Sequence, residues 1–336
     1  MRAMILKAIG PLTADASPLE PVELPDPEPG PGQLRLRVSV CGVCHTELDE
    51  IEGRTAPPKL PIILGHEVVG SVDKLGEGAR QHALGDRLGV GWIHRSTGEE
   101  DENLSSSFEA TGRDANGGYA EYMVVDENYA FPIPSTFSDL EAAPLLCAGA
   151  VGYRSLALTG LSDGQTLGLT GFGGSAHLVL QLAKHRFPQS RFFVFARDPA
   201  QRDLALDLGA YWAGPTEDRA PELLDAVIDT TPAWLPVVEA LANLKPGGRL
   251  VINAIRKEDG DKDQLLALSY HDHLWMEKEI KSVANVTAAD IAEFLPLAAD
   301  VPLRPIVKSY PLADANLALR DLKFGPIRGA KALSIT

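Results

Sequence analysis

Two of the three cysteines in this chain lie in segments that can form a metal site together with one histidine. The ligands would be Cys44, His66 and Cys147. Two thiolates and one imidazole suit zinc, and three protein ligands leave a fourth position for water or substrate. The set therefore predicts a catalytic zinc and an enzyme. Cys147 alone, beside Leu145, would favour core packing, so the prediction depends on the three residues jointly.

Composition limits the other classes of function. The chain has 336 residues, 45% of them hydrophobic, which is enough for two domains. Its 31 basic and 46 acidic residues give a net charge of −15. We expect no nucleic-acid partner, because such a chain gains no long-range attraction to phosphate. The apolar start carries Arg2 and Lys7 and is short, so we expect no membrane partner and a cytoplasmic location.

The hydrophobic pattern changes near the middle of the chain. Residues 34–40 alternate as a strand does, and Gly and Pro recur up to residue 135, which predicts a β-rich first half. After residue 160, predicted strands (166–170, 191–196, 226–229, 249–253) alternate with predicted helices (176–186, 199–208, 234–244). This alternation is typical of an α/β domain, a doubly wound parallel sheet with helices on both faces. Residues 330–335 are expected to return to the first domain.

The turn after the strand 166–170 is suited to binding a pyrophosphate. Its residues are Gly171, Phe172, Gly173, Gly174, Ser175 and Ala176. Small residues let the backbone approach the phosphates, and the following helix offers its N-terminal amides. Ala176 replaces the third glycine of the usual fingerprint. The preceding strand and the following helix make this turn a predicted dinucleotide site.

The end of the next strand indicates which dinucleotide binds. An NAD site places an acid there, whereas a 2′-phosphate favours small residues and an arginine. This chain has Ala196 followed by Arg197, and Asp198 is interpreted as a helix cap. NADP is therefore favoured over NAD, although an arginine at a strand end can also be a solvated surface residue.

Several ordered motifs give the chain a resemblance to a known family. They are Cys44-His45-Thr46-Glu47-Leu48, Leu64-Gly65-His66-Glu67, Gly85-Asp86-Arg87, Gly117-Gly118-Tyr119-Ala120-Glu121-Tyr122, Leu146-Cys147-Ala148-Gly149 and the Gly171 turn. The chain resembles the zinc-dependent alcohol dehydrogenases of the medium-chain dehydrogenase/reductase superfamily over nearly its whole length. The resemblance implies a GroES-like catalytic domain (residues 1–148 and 286–336) around a Rossmann domain (149–285), with the active site between them.

The resemblance also implies roles for individual residues. Cys44, His66 and Cys147 would bind the zinc, and Glu67 would be an adjacent acid able to reach the metal. Thr46 would accept the proton of the alcohol, and His45 would contact the cofactor pyrophosphate or face water. Asn253, at the end of a predicted strand, completes the candidate cofactor contacts.

The chain departs from the family at two places. Many relatives carry four cysteines that bind a second, structural zinc, but residues 96–105 contain none. We therefore expect one zinc per chain and a solvated acidic loop in this region, since a hard cation is the weaker interpretation. The second departure is Asp49, which occupies the position of a histidine that passes protons in relatives. Either this acid serves, or protons leave by another route.

The predicted substrate is a small alcohol, aldehyde or ketone, and we expect a homo-oligomer, a dimer or a tetramer. Trp92, Ile93 and Tyr119 are candidates for the substrate pocket or for the core. His271 and His273 are interpreted as surface or interface residues. Two alternatives stay open: a zinc-free quinone or enoyl reductase of the same superfamily, and a non-catalytic dinucleotide-binding protein with a structural zinc.

Overall fold

The computed structural model describes residues 1–301, 303–325 and 329–335. The chain divides into two compact units. The first comprises Met1–Ala150, Val286–Ala299 and Arg304–Thr336, and the second comprises Val151–Asn285 and Asp300–Leu303. Among the described residues, no helix combines the length and the apolar character needed to cross a membrane.

The strands and helices are numbered along the chain. The strands are β1 (Arg2–Leu6), β2 (Leu19–Glu23), β3 (Gln33–Val43), β4 (Ile62–Ile63), β5 (Val68–Leu75), β6 (Arg87–Val90), β7 (Ile93–Arg95), β8 (Glu109–Ala110), β9 (Tyr122–Asp126), β10 (Phe131–Pro132), β11 (Thr166–Thr170), β12 (Arg191–Phe195), β13 (Trp212–Gly214), β14 (Leu224–Asp229), β15 (Leu244–Ile252), β16 (Glu279–Ser282), β17 (Val307–Pro311) and β18 (Ala330–Ser334). The helices are α1 (His45–Ile51), α2 (Asp139–Ala142), α3 (Ala148–Thr159), α4 (Gly174–Arg186), α5 (Pro199–Asp207), α6 (Leu235–Ala242), α7 (Ala288–Asp300) and α8 (Ala315–Phe324).

The first unit is built around a seven-stranded sheet in which β3 is central. Strand β3 pairs antiparallel with β5, β9 and β18. Its residues Leu34, Leu36 and Val38 are fully buried, as the alternating sequence predicts. The last strand, β18, pairs with β3 in this sheet, with Leu333 opposite Cys41.

The second unit contains a six-stranded, all-parallel sheet in the order β13-β12-β11-β14-β15-β16. Buried residues of β12, β14 and α6, including Phe193, Val227 and Leu241, form its core. This arrangement confirms the predicted doubly wound sheet. Because all six strands run in the same direction, their carboxyl ends lie at one edge, where ligands bind in such sheets.

The boundaries of the elements differ from the predictions mainly around β15. Strand β11 matches its prediction, but the helix predicted to reach residue 244 ends at Ala242 because Leu244 starts β15. Asn253 therefore follows the strand rather than ending it. The edge strand β16 was not predicted, since all four of its residues are exposed and give no alternating pattern.

Candidate functional site

The candidate metal ligands come from three separate segments of the first unit. Cys44 follows β3 and precedes α1, His66 lies between β4 and β5, and Cys147 follows a short 3-10 turn at Ala143–Leu146. The Sγ atoms of Cys44 and Cys147 lie 4.0 Å apart. Tetrahedral zinc with two bonds of about 2.3 Å to sulfur would separate the two atoms by about 3.8 Å. The structure therefore brings the two sulfurs to a spacing suited to one metal ion.

Glu67 joins these three residues as a fourth potential ligand. One ligand atom each from Cys44, His66, Glu67 and Cys147 lie within 4.8 Å of one another. Gly42 on β3 makes room for the carboxylate, because a Cβ at this position would lie 1.7 Å from Oε2 of Glu67. His66 and Glu67 are buried, and Cys44 and Cys147 are half-buried residues.

The hydrogen bonds of His66 test whether these residues fit a metal. Its Nδ1 contacts Oε1 of Glu47 at 2.5 Å. Its Nε2 is buried and has no hydrogen-bond partner among the described residues. A buried imidazole nitrogen without a partner is costly, whereas a metal ion beside two thiols would satisfy it. The donor set therefore fits a zinc ion.

Mutual interactions shift the pKa values of the four candidate ligands. A hydrogen bond with Cys147 lowers the pKa of Cys44, and the same contact and burial raise the pKa of Cys147. Burial and the charge of Cys44 raise the pKa of Glu67. Burial acts to lower the pKa of His66, but Glu47 and Cys44 outweigh it and the net shift is upward. Surroundings that favour a proton on this ring also favour a metal cation.

Glu47 is a functional candidate that the sequence analysis missed. It is fully buried, and its Oε2 accepts a hydrogen bond of 2.7 Å from the backbone nitrogen of Cys44. One carboxylate thus contacts both the backbone of one candidate ligand and the ring of another. Its signal in the sequence is an acidic residue three positions after the candidate ligand Cys44, within the helix α1 that begins directly after this cysteine.

Thr46 and Asp49 lie on α1, one turn apart. Thr46 is buried and its Oγ1 lies 3.8 Å from Sγ of Cys44, so its hydroxyl is beside the candidate metal site. Asp49 is also buried, and Arg54 binds its Oδ1 through Nε at 2.7 Å and Nη2 at 2.6 Å. His45, the first residue of the helix, is exposed.

The candidate pocket residues differ in their surroundings. Ile93 and Tyr119 are fully buried in the core of the first unit. The rings of Trp92 and His66 pack edge to face with a centroid distance of 6.3 Å, and the Trp92 ring also packs against Phe108 at 5.6 Å. Trp92 therefore lies beside one of the proposed ligands.

The structure corrects two predictions made for polar residues. The acidic segment 96–105 is not wholly solvated, since Glu102 is buried and accepts hydrogen bonds from Gly98 N, Tyr129 Oη and Ala288 N. Burial and the contact with Glu102 raise the pKa of Tyr129 to about 12. His273, interpreted as a surface or interface residue, is buried and its Nδ1 accepts a hydrogen bond from Ser269 N, whereas His271 is exposed.

The glycine turn of the second unit lies between β11 and α4. Gly171 has a φ of +74°, which a residue with a side chain rarely adopts, and Gly173 is the N-cap of α4. Gly174 and Ser175 form the first turn of the helix. Nδ2 of Asn253 donates to Oγ of Ser175 at 3.2 Å, so two predicted cofactor contacts are adjacent.

The end of β12 presents two arginines. Ala196 is buried, Arg197 is exposed, and Asp198 accepts a hydrogen bond from Ala200 N, which confirms it as the cap of α5. Arg202, which the sequence analysis did not select, donates to the carbonyl oxygens of Ala196 at 2.7 Å and Arg197 at 2.9 Å. It thereby fixes the backbone from which the Arg197 side chain extends.

Comparisons with known proteins agree with this architecture. Residues 30–135 match the family model described as the alcohol dehydrogenase GroES-like domain. The chain is 40% identical to the probable alcohol dehydrogenase AdhA of Mycobacterium tuberculosis, covering all of this chain and 97% of the relative. It is 32% identical to an alcohol dehydrogenase of Geobacillus stearothermophilus, with 94% and 96% of the two chains covered.

A solved structure of a cinnamyl alcohol dehydrogenase from Sorghum bicolor also superimposes on the chain. The TM-score is 0.84 and the sequence identity is 25%, with 99% of this chain and 97% of the other covered. Both the sequence and the fold are therefore similar to those of alcohol dehydrogenases along the entire chain.

Proposed function

This chain belongs to the alcohol dehydrogenases of the medium-chain dehydrogenase/reductase superfamily, and on that premise we propose that it is a zinc-dependent enzyme. It would interconvert an alcohol and an aldehyde or ketone, with NADP(H) preferred over NAD(H). One observation carries the zinc dependence: Nε2 of His66 is buried near two thiols and has no hydrogen-bond partner within the described ranges of the chain, while Glu47 contacts the other ring nitrogen.

The residues that would hold the zinc are Cys44, His66 and Cys147, with Glu67 within reach as an exchangeable ligand. When bound, zinc supplies Lewis-acid polarisation of a substrate oxygen and the dinucleotide supplies or accepts the hydride. Glu47 holds the imidazole of His66 in the tautomer with hydrogen on Nδ1, which leaves the lone pair of Nε2 free for a metal.

The proton of the alcohol would pass to Oγ1 of Thr46, the hydroxyl beside Cys44. Asp49, one turn along α1, is the next candidate in the path. Arg54 forms an ion pair with this carboxylate. His45, the first residue of this helix, is exposed.

The cofactor would bind at the carboxyl edge of the parallel sheet in the second unit. Gly171, Gly173, Gly174 and Ser175 offer close backbone approach and the amides at the start of α4 to the pyrophosphate. Asn253 supports this turn through Ser175. Ala196 leaves space at the ribose, and exposed Arg197 is placed to pair with a 2′-phosphate.

A metal analysis combined with an activity panel tests the proposal. Purified protein should contain one zinc per chain, since residues 96–105 lack cysteines, and should oxidise or reduce some member of a panel of alcohols, aldehydes and ketones. Reduction of quinones or enones without zinc would favour the zinc-free reductase. Zinc binding and dinucleotide binding without any turnover would favour the non-catalytic alternative.

A further inference from the structure

The carboxyl edge of the parallel sheet contains a buried ion pair near the glycine turn. Asp229, the last residue of β14, is fully buried, and Lys257, in the loop after β15, has 8% of its side chain exposed. Nζ of Lys257 donates to Oδ2 of Asp229. Burying two charges is costly unless their remaining hydrogen-bonding capacity is also satisfied.

Both partners meet this requirement. Oδ1 of Asp229 accepts hydrogen bonds from Oγ1 of Thr170 at 2.5 Å, from Oγ1 of Thr231 at 2.8 Å and from N of Thr231 at 3.2 Å. Nζ of Lys257 also donates to the carbonyl oxygens of Thr231 at 2.7 Å and Ala233 at 3.0 Å. The pair therefore links the ends of β11 and β14 to the loop after β15.

Backbone hydrogen bonds also join the segment after β14 to the loop after β15 on both sides of the ion pair. Asn253 N donates to the carbonyl oxygen of Asp229 at 2.7 Å, and Glu258 N donates to that of Pro232 at 2.6 Å. The carboxylate of Asp261 accepts a hydrogen bond of 2.9 Å from Leu235 N at the start of α6. Lys257 thus lies within a junction in which residues 229–235 and 253–261 are joined by hydrogen bonds.

This junction adjoins the turn proposed to hold the pyrophosphate. Thr170, which contacts Asp229, directly precedes Gly171. A Cβ added to Gly171 would lie 2.8 Å from Cγ2 of Thr231 and 3.1 Å from Oγ1 of Thr230. An unneutralised carboxylate so close to the turn would repel an anionic pyrophosphate, since charges interact strongly at low local dielectric.

We propose that Lys257 is a positioning residue of the cofactor site: it neutralises Asp229 and holds residues 230–233 against Gly171. The proposal rests on the proposed function in that the turn binds a dinucleotide. Lys257 acts through Asp229 and residues 230–233 and makes no contact with the cofactor itself. Its charge, and not only its packing, sets the cofactor affinity.

Charge-neutral variants separate the charge from the packing. Lys257→Met retains most of the side-chain stem but removes the positive charge that pairs with the Asp229 carboxylate, which keeps its hydrogen bonds from Thr170 and Thr231. We expect the Kd for NADPH to rise by about tenfold or more. Asp229→Asn should not raise Kd, and the double variant should return to within about threefold of the unaltered protein, because neither leaves an anion near the turn. Lys262→Met, which removes an exposed lysine of the same segment, is the matched control.

The measurements are NADPH fluorescence titration and the unfolding midpoint of each variant. The proposal is supported if only Lys257→Met loses affinity, and it is overturned if both single variants lose affinity in parallel with stability. Should Lys257→Met fail to fold, Asp229→Asn still tests the charge, because it leaves the positive charge of Lys257 unbalanced near the turn whereas the double variant leaves no charge. Asp229→Asn should then bind NADPH with a lower Kd than the double variant, and equal Kd values overturn the proposal. Unaltered protein that binds neither NADPH nor NADH contradicts the proposed function instead.

Discussion

Oε1 of Glu47 lies 2.5 Å from Nδ1 of His66, and both side chains are almost completely buried. The contact assigns the ring proton to Nδ1 and directs the lone pair of Nε2 toward the thiols of Cys44 and Cys147. An acid that never touches the metal would thus determine whether the histidine can bind it.

Glu47→Gln should weaken zinc binding by about ten- to a hundredfold, because the amide holds the imidazole less firmly and lowers its basicity. Competition with a chelator, followed by zinc analysis, measures the effect. Glu77→Gln, which alters an exposed glutamate elsewhere in the first unit, is the control. Equal zinc affinity in the Glu47 variant and the control would contradict the assigned role.

Thr46→Val should retain zinc and cofactor and still lose about two to four powers of ten in kcat, since the substituted side chain has nearly the same size but no hydroxyl. Steady-state kinetics are measured together with zinc content and NADPH affinity. If kcat stays near normal, Thr46 is not the proton acceptor, and solvent or Asp49 takes that role.

Arg197→Ala should narrow the preference for NADP over NAD by removing a charge-assisted hydrogen bond worth about 1.5–3 kcal/mol. Titration of both cofactors measures the change. Arg191→Ala is a matched control, because Arg191 lies at the opposite end of β12 with half of its side chain exposed and pairs with Glu222. Tighter binding of NAD than NADP by the unaltered protein would show that the cofactor prediction is wrong.

Glu50→Gln should make the protein less sensitive to alkaline pH. Both carboxylate oxygens of Glu50 are buried without a hydrogen-bond partner in the described part of the chain, and burial and the charge of Glu47 raise its pKa. The folded state therefore holds a proton that the unfolded state releases above about pH 4.3, so stability falls as pH rises beyond that value.

Because glutamine cannot ionise, Glu50→Gln should be more stable than the unaltered protein by on the order of 1 kcal/mol or more at pH 8. The difference in the free energy of unfolding should be smaller at pH 5. Denaturant unfolding at several pH values measures the difference. If the free energies of unfolding of the two proteins differ by the same amount from pH 5 to pH 8, the pKa of Glu50 does not differ between the folded and the unfolded state.

The sequence by itself determined those features that depend on neighbouring residues. Alternating apolar residues predicted β3, and the strand, glycine turn and helix around Gly171 predicted the sheet edge at which a dinucleotide would bind. Residue chemistry, together with the family resemblance of the surrounding motifs, selected Cys44, His66 and Cys147 as candidate ligands.

Only the tertiary structure decided how distant polar groups are paired. Nothing near Lys257 indicates Asp229, and nothing near Glu102 indicates the backbone of Ala288, because these partners meet only when the loops of separate elements pack together. The burial of a polar side chain was likewise decided only by the tertiary structure. An acid, a lysine or a histidine such as His273 looks solvent-exposed in sequence, but it can be buried wherever the fold supplies partners that offset the cost of desolvation.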